Sequence, residues 1–295
     1  MLSHLSLADN ELTGSIQDAF KGCLNLTDLI LNRNKFFGQV PGYLSELPLV
    51  TLELLQNNFS GLLPAQLMHS KTILEIYLSD NQISGELPDS IGWLSHLRRL
   101  QLDNNLLEGF LPSSIGRLGN LTNLSLRGNK LSGEIPIDLF NCTNLVELNL
   151  GSNRINGSLP EAISKLKLLG DLVLSNNLIS GQIPEGICTG FQQTQHPDSE
   201  FNQHYGILDL SNNNLTGVIP HAIKNCVAVK ELRLQGNKLN GTIPPELNDL
   251  TNLVLVDLSF NYLSGKLLSA QFPLKNLQGL FWQTTSLMAP FLILA

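Results

Sequence analysis

Charge is scarce in this sequence. Lysine and arginine total 18 and aspartate and glutamate 25 among 295 residues, a net charge of −7. Nucleic-acid recognition calls for a basic face, so nothing electrostatic supports that class of partner. No basic run marks a membrane-surface segment. Long apolar runs are missing as well. The longest, LMAPFLILA at the end, has nine residues, whereas a membrane-spanning helix needs about 20. The opening MLSHLSLADN has neither the cationic nor the apolar region of a secretory leader. Catalytic and cofactor signatures are absent: there is no C-x-x-C, no H-E-x-x-H and no phosphate-cradling glycine loop. No nucleophile, base and orienting group can be assembled. The sequence therefore predicts a binding surface, with no enzyme activity, no cofactor and no metal.

What is abundant is a repeat. A length of 295 residues suits two domains or one extended array. The pattern LxxLxLxxNxLxG occurs eleven times, with its asparagines at Asn10, Asn34, Asn57, Asn81, Asn105, Asn129, Asn153, Asn177, Asn213, Asn237 and Asn261. The steps are 24 residues, except one of 23 and one of 36. Such a period marks stacked coils.

Each fixed letter has a physical reason. In LSLRGN, Leu124 and Leu126 alternate with Ser125 and Arg127, which predicts a short strand with leucine inward. The chain must then bend inside a crowded core, where backbone groups would lack partners. An asparagine amide can donate and accept there, so successive asparagines are expected to stack as a ladder. Losing one should cost about 1–3 kcal/mol. The glycines that follow, such as Gly14, Gly38, Gly61 and Gly85, permit positive φ or close approach. Proline comes next in nine copies, at Pro41, Pro64, Pro88, Pro112, Pro136, Pro160, Pro184, Pro220 and Pro244. Proline suits a strand edge or a turn, so a second short strand and then a helical turn on the convex side are expected.

Cys23, Cys142 and Cys226 each follow a ladder asparagine by 13 residues and share one register position. Coils stack about 4.8 Å apart, which holds these three thiols roughly 14 Å or more from one another. A disulfide requires Cα atoms within about 7 Å. They are expected as buried small hydrophobes. Cys188 is off register and can approach Cys226 one coil on, the less favoured reading. Eight N-x-[ST] sequons are glycosylation candidates: Asn25, Asn58, Asn120, Asn123, Asn141, Asn156, Asn214 and Asn240.

The predicted ligand surface is the outward side of the concave sheet, where side chains are free to vary. Its candidates are Arg33, Glu53, Tyr77, Asp80, Arg99, Gln101, Asp103, Arg127, Asn149, Asp209, Arg233, Asp257 and Phe260. Arg99, Arg127 and Arg233 can pair with carboxylates, and Tyr77 and Phe260 can anchor as aromatics.

The 36-residue step contains an insert at about 186–204, EGICTGFQQTQHPDSEFNQH in its fullest extent. Its polar composition predicts an island bulging from the stack. The residues His196, Asp198, Glu200, His204 and Tyr205 are its binding candidates. A metal reading of the first four is set against the expectation of solvated loop side chains. The tripeptide His196-Pro197-Asp198 also occurs in co-chaperone J-domains, but no helical hairpin pattern surrounds it. A functional loop and a drifted spacer both remain open.

The motif LxxLxLxxNxLxGxIP, clearest in LRGNKLSGEIPIDL and LSNNNLTGVIPHAI, resembles the plant-specific leucine-rich repeat class found outside receptor-like kinases. CTGFQQTQHPDSEFNQHYGILDLS, VKELRLQGNKLNGTIP and LVDLSFNYLSG look like anther cell-fate receptor kinases of the multiple-sporocyte and excess-microsporocyte type. The resemblance implies an α/β solenoid, a plant-type superhelix with a parallel concave β-sheet. Eleven complete coils and a degenerate twelfth span residues 1–280, followed by a tail at 281–295. It also implies a plasma-membrane location facing outward and a role in cell fate. The implied partners are a small secreted cysteine-rich protein or peptide and a co-receptor kinase. The family's membrane helix and Ser/Thr kinase have no counterpart in this sequence, which reads as a fragment, a truncated product or a mis-joined gene. A secreted defence protein of the pectinase-inhibitor type and a kinase-less receptor-like protein are the alternatives. With no cap at either end, Leu5, Leu7, Leu280 and Trp282 are expected to meet water, at about 1.5–3 kcal/mol each. Poor solubility, rescued by grafted caps, is the corresponding expectation.

Overall fold

A leucine flanked by outward-facing residues makes a three-residue strand, and here it does so once per coil. In Glu75–Tyr77 and Arg99–Gln101 the central Ile76 and Leu100 are buried and their neighbours half-buried. A computed structural model describes residues 2–192, 206–265 and 276–282. Two units are distinguished: one runs through Leu145 and takes in Ser152–Arg154, and the other takes Val146–Gly151 and continues from Ile155.

In the first unit His4–Ser6, Asp28–Ile30, Thr51–Glu53, Glu75–Tyr77, Arg99–Gln101 and Asn123–Ser125 pair in sequence, all parallel. In the second, Glu147–Asn149, Asp171–Val173, Ile207–Asp209, Glu231–Arg233, Leu255–Asp257 and Gly279–Phe281 do the same. Gly279–Phe281 belongs to the degenerate twelfth repeat. Thr285 and Ala289, where that repeat loses its asparagine and glycine, lie outside the described residues.

The second strand of each coil starts beside the ladder asparagine. Thr13–Ser15, Lys35–Gly38, Asn58–Leu62, Gln82–Glu86 and Leu106–Glu108 form a parallel sheet in the first unit. Ser180–Gln182, Asn214–Gly217 and Lys238–Leu239 form another in the second. A glycine inside these strands has two tasks. Gly85 holds φ at +76°, and a Cβ there would meet Leu62 Cδ2 of the preceding coil at 2.3 Å.

All nine prolines of the motif follow this strand by a few residues, and each is the residue before a 3₁₀ helix. Gly42–Glu46, Ala65–His69, Asp89–Trp93, Ser113–Arg117 and Ile137–Asn141 lie in the first unit. Glu161–Lys165, Glu185–Cys188, His221–Asn225 and Pro245–Asp249 lie in the second. Proline fixes φ near the helical value and loses no donor that the helix needs. Its carbonyl accepts from the third residue on, as in Ile91 N–H to Pro88 O at 2.9 Å. A bond over three residues gives the tight 3₁₀ turn.

Leucines line the interior of every coil; Leu29, Leu52, Leu102, Leu124, Leu172 and Leu232 are at most 1% exposed. The ladder asparagines close the polar accounts of this core. Asn105 Nδ2 donates to Leu78 O at 3.0 Å in the preceding coil and to Leu102 O and Asp103 O at 3.1 and 3.2 Å in its own. Its Oδ1 accepts the Ile83 N–H at 2.9 Å. Each amide thus bonds backbone on two coils. Asn57, Asn81, Asn129, Asn177, Asn237 and Asn261 repeat the pattern. Asn10, in the first coil, is exposed, and among the described residues its amide side chain reaches Leu7 O and Ala8 O alone.

The cysteine expectation is corrected in one place. Cys188 and Cys226 form a disulfide, with Cα atoms 4.7 Å apart. The long coil takes Cys188 out of the common register and brings it beside Cys226. Cys142 stays a buried thiol whose Sγ faces Ile115 O at 3.2 Å, and burial pushes its pKa up to about 11. Cys23 is half-buried and unpaired by disulfide.

Candidate ligand-binding face

The outward residues of the first-unit sheet fall into rows, because parallel strands in register put equivalent positions side by side. Glu53, Tyr77 and Gln101 are successive partners in one row, and Thr51, Glu75 and Arg99 in the next. Arg99 Nη1 meets Glu75 Oε1 at 2.8 Å, and the Tyr77 hydroxyl donates to Glu75 Oε2 at 3.2 Å. Burial first and the Glu75 charge second raise the Tyr77 pKa, so the phenol stays a neutral donor. Glu53 accepts from Asn32 Nδ2. Neighbouring Asp103 takes the Ser125 hydroxyl at 2.6 Å and the Arg127 N–H at 2.8 Å, and burial raises its pKa. Arg127 is exposed. This face offers hydrogen-bonding groups held by their neighbours, flanking a half-buried aromatic ring.

Other candidates sit elsewhere. Arg33, Asp80 and Phe260 lie beyond the strands, at the turn residue directly before a ladder asparagine, with φ of 53°, 56° and 55°. That left-handed conformation recurs at this position in Asp9, Gln56, Asn104, Ser152, Asn176 and Asn212, with glycine at 128 and 236. For Phe260, a bulky residue, it is strained. Arg33 pairs there with Asp9 at 3.1 Å, and Asn104 Nδ2 donates to Asp80 at 2.8 Å.

In the second unit Asp209 is corrected from outward to buried. At 7% exposure, its Oδ1 is taken by the Ser211 N–H at 3.0 Å and hydroxyl at 2.6 Å. Half-buried Asp257 makes the same two bonds to Ser259. Asn149 Oδ1 accepts the Gly151 N–H at 3.1 Å. Arg233 Nη2 pairs with Glu231 at 2.7 Å. The recurring Asp-x-Ser after a strand is a turn signal that the alternation argument overlooked.

The island candidates His196, Asp198, Glu200, His204 and Tyr205 lie outside the described residues. The flanks are described. At one side stand the Cys188–Cys226 disulfide and Phe191, fully buried, whose carbonyl accepts the Ala228 N–H at 2.8 Å. At the other, Asp171 Oδ1 accepts the Gly206 and Ile207 N–H groups. Asp171 and Glu75 were both missed in sequence; each looks like an ordinary solvated strand residue until its partner is placed.

Seven of the eight sequon asparagines are exposed, and Asn123 is half-buried. Asn120 shares its register with a second amide row that the repeat pattern hid. Asn120, Asn144, Asn252 and Asn276 donate to Ser95, Gly119, Val227 and Thr251 carbonyls at 2.7–3.0 Å. Among the described residues no group of three metal-ligating side chains occurs and no helix is long and apolar enough to cross a membrane.

Parallel strands in series, an internal amide column and an open strand face define the leucine-rich repeat solenoid class. Two family models, each described as leucine rich repeat, match residues 206–263 and residues 1–23, 72–94, 96–118, 120–142 and 144–166. The chain belongs to the leucine-rich repeat family. It is 77% identical over 241 residues to the leucine-rich repeat receptor protein kinase MSP1 of Oryza sativa subsp. japonica, covering 82% of this chain and 19% of that protein. It is 68% identical over 249 residues to the receptor protein kinase MSL1 of the same plant, covering 84% of this chain and 18% of that one. Among solved structures it resembles the Arabidopsis receptor kinase HAESA, in complex with the peptide hormone IDA and the co-receptor SERK1. That match has a TM-score of 0.86 and 32% identity, and covers 97% of this chain and 46% of HAESA's. PEPR1–AtPEP1 gives 0.87 and 33%, with 96% and 38% covered. The chain thus spans under a fifth of the length of the rice kinases it matches.

Proposed function

We propose that this chain is the ligand-binding region of a plant cell-surface receptor kinase, outside the plasma membrane, acting in developmental cell-fate signalling. Its ligand is a secreted peptide or small secreted cysteine-rich protein, and a co-receptor kinase is its second partner. The chain itself binds and does not catalyse. The observation that carries the reading is the first-unit face, where Glu53, Tyr77 and Gln101 stand in register beside the Glu75–Arg99 pair. Such a face can take up an extended chain residue by residue, with Tyr77 as aromatic anchor. The peptide-hormone complexes of similar receptors support a peptide as the ligand class.

The test is a pull-down of secreted peptides and cysteine-rich proteins on the chain fitted with terminal caps. A captured ligand should lose at least about tenfold in affinity on combined Tyr77→Ala and Arg99→Ala substitution. A ligand whose affinity is unaffected by these changes would remove this face from the reading.

A further inference from the structure

The helical side of the first unit carries a cleft that the strand face does not use. It encloses about 470 Å³ and is lined by Asp89, Trp93, Ser114, Arg117, Asp138 and Asn141 among others. Three successive 3₁₀ helices, Asp89–Trp93, Ser113–Arg117 and Ile137–Asn141, supply these side chains. Gly116 lets two of them close up, since a Cβ there would stand 2.2 Å from Asp138 O.

Trp93 is one of two tryptophans in the chain and is 53% exposed. Its ring is braced by His69 of the preceding coil, with centroids 4.6 Å apart at 66°. Trp93 stands on the first of the three helices, so a braced indole borders a polar hollow. On the floor, the hydroxyls of Ser90 and Ser114 are buried and make no hydrogen bond. A buried hydroxyl without a partner is costly, and one χ1 rotation redirects it.

These parts fit one ligand chemistry. A sugar ring has an apolar C–H face and a rim of hydroxyls. The face can lie on indole, and the rim can bond to carboxylates, guanidinium and serine hydroxyls. An apolar ligand would leave Asp89, Arg117 and Asp138 desolvated without partners. An anion would face two carboxylates. Asn141, on the same cleft, also begins the sequon Asn141-Cys142-Thr143.

We propose that this cleft seats a neutral or N-acetylated pyranose, with Trp93 as the platform and Asp89, Arg117 and Asp138 as hydroxyl partners. The sugar has two sources of the same chemistry: a glycan carried on Asn141, or a free oligosaccharide.

The test uses the full chain secreted from plant cells behind a fused secretory leader, with Trp282→Phe so that Trp93 is the single tryptophan. It is prepared with Asn141 intact and as Asn141→Gln, and the probe is an oligomer of N-acetylglucosamine. If the glycan is the occupant, mass spectrometry finds Asn141 modified, Trp93 emission differs between the two forms, and the probe binds the glutamine form at least about tenfold more tightly. If a free oligosaccharide is the occupant, the probe shifts Trp93 emission equally in both forms. In either case Arg117→Ala weakens the probe by about tenfold, and Trp93→Ala abolishes saturation transfer to the probe in NMR. Both side chains border an open cleft, so circular dichroism should show the fold retained. Emission that ignores the glycan together with a probe that binds neither form overturns the proposal, as does probe binding that survives Trp93→Ala.

Discussion

Asp171 Oδ1 accepts the backbone N–H of Gly206 at 2.9 Å, and that of Ile207 at the same distance. A residue of one strand thereby fixes the chain where it returns to the sheet, 36 residues on. The cost is a carboxylate taken out of water, at 8% exposure. Burial, with the Glu147 charge adding to it, outweighs the two N–H bonds and Lys230 and moves the Asp171 pKa up to about 6.

That relationship sets a pH dependence. The unfolded carboxyl titrates near 3.8 and the folded one near 6, so between these values the folded state holds more protons. Stability then falls as pH rises. The Asp171 contribution is fully present below about pH 4 and lost as pH passes about 6, a difference of about 3 kcal/mol. Asp171→Asn keeps an acceptor for both N–H groups without the charge. Its urea midpoint should be flatter than wild type between about pH 4 and pH 7 and no lower at the upper end. A wild-type advantage that grows with pH would show that the ionised carboxylate stabilises the site.

The Cys188–Cys226 disulfide closes a loop of 38 residues. In the chain-entropy account such a closure is worth about 3–4 kcal/mol. Cys188→Ser with Cys226→Ser should lower the urea midpoint of the second unit and leave the first unit's hydrogen exchange unchanged. Peptide mapping without reductant should recover the two cysteines in one linked peptide; two free thiols would contradict the bond.

Asn105→Ala deletes three donated bonds and one accepted bond inside the core. The Ile83 N–H loses its acceptor, while Leu78 O, Leu102 O and Asp103 O each keep one other donor, so the expected cost is about 1–3 kcal/mol. Asn10→Ala removes an exposed side chain whose bonds among the described residues stay within its own coil, and should cost under about 1 kcal/mol. Equal effects in urea unfolding would mean that bonding to the preceding coil contributes nothing.

Much of this was legible because a period repeats its own evidence. The position of Asn105 between Leu102 and Leu107 predicts an inward amide, and Pro112 predicts the end of a strand. What a period cannot show is what happens where it breaks. The register argument separates Cys142 from Cys226, but Cys188 lies on the long coil, and its approach to Cys226 depends on how that coil is routed. Asp209 occupies an outward place in the alternation, yet Ser211, two residues on, folds its hydroxyl back and closes the site. The left-handed turn before each ladder asparagine was hidden by residue variety, since Arg33, Ser152 and Phe260 share it. The Glu75–Arg99 pair required both strand register and side-chain direction, neither of which a single repeat specifies.

The second amide row bears on which sequons the fold accepts. Asn120 Nδ2, the atom a glycan would occupy, donates to Ser95 O at 2.8 Å on the preceding coil. A sugar there leaves the nitrogen a single hydrogen and adds bulk where two coils meet. Asn58, Asn156, Asn214 and Asn240 instead follow a ladder asparagine by one or three residues and are exposed. Chains glycosylated at Asn120 should fold less readily and be depleted from the folded, secreted fraction, while the other four sites tolerate occupancy. Asn120→Gln should itself cost about 1 kcal/mol, because a longer side chain misplaces the bond to Ser95. Glycopeptide mass spectrometry on secreted and retained chains reads the difference. An Asn120 glycan as abundant in the secreted fraction as one at Asn214 would show that the outer amide row is dispensable to the stack.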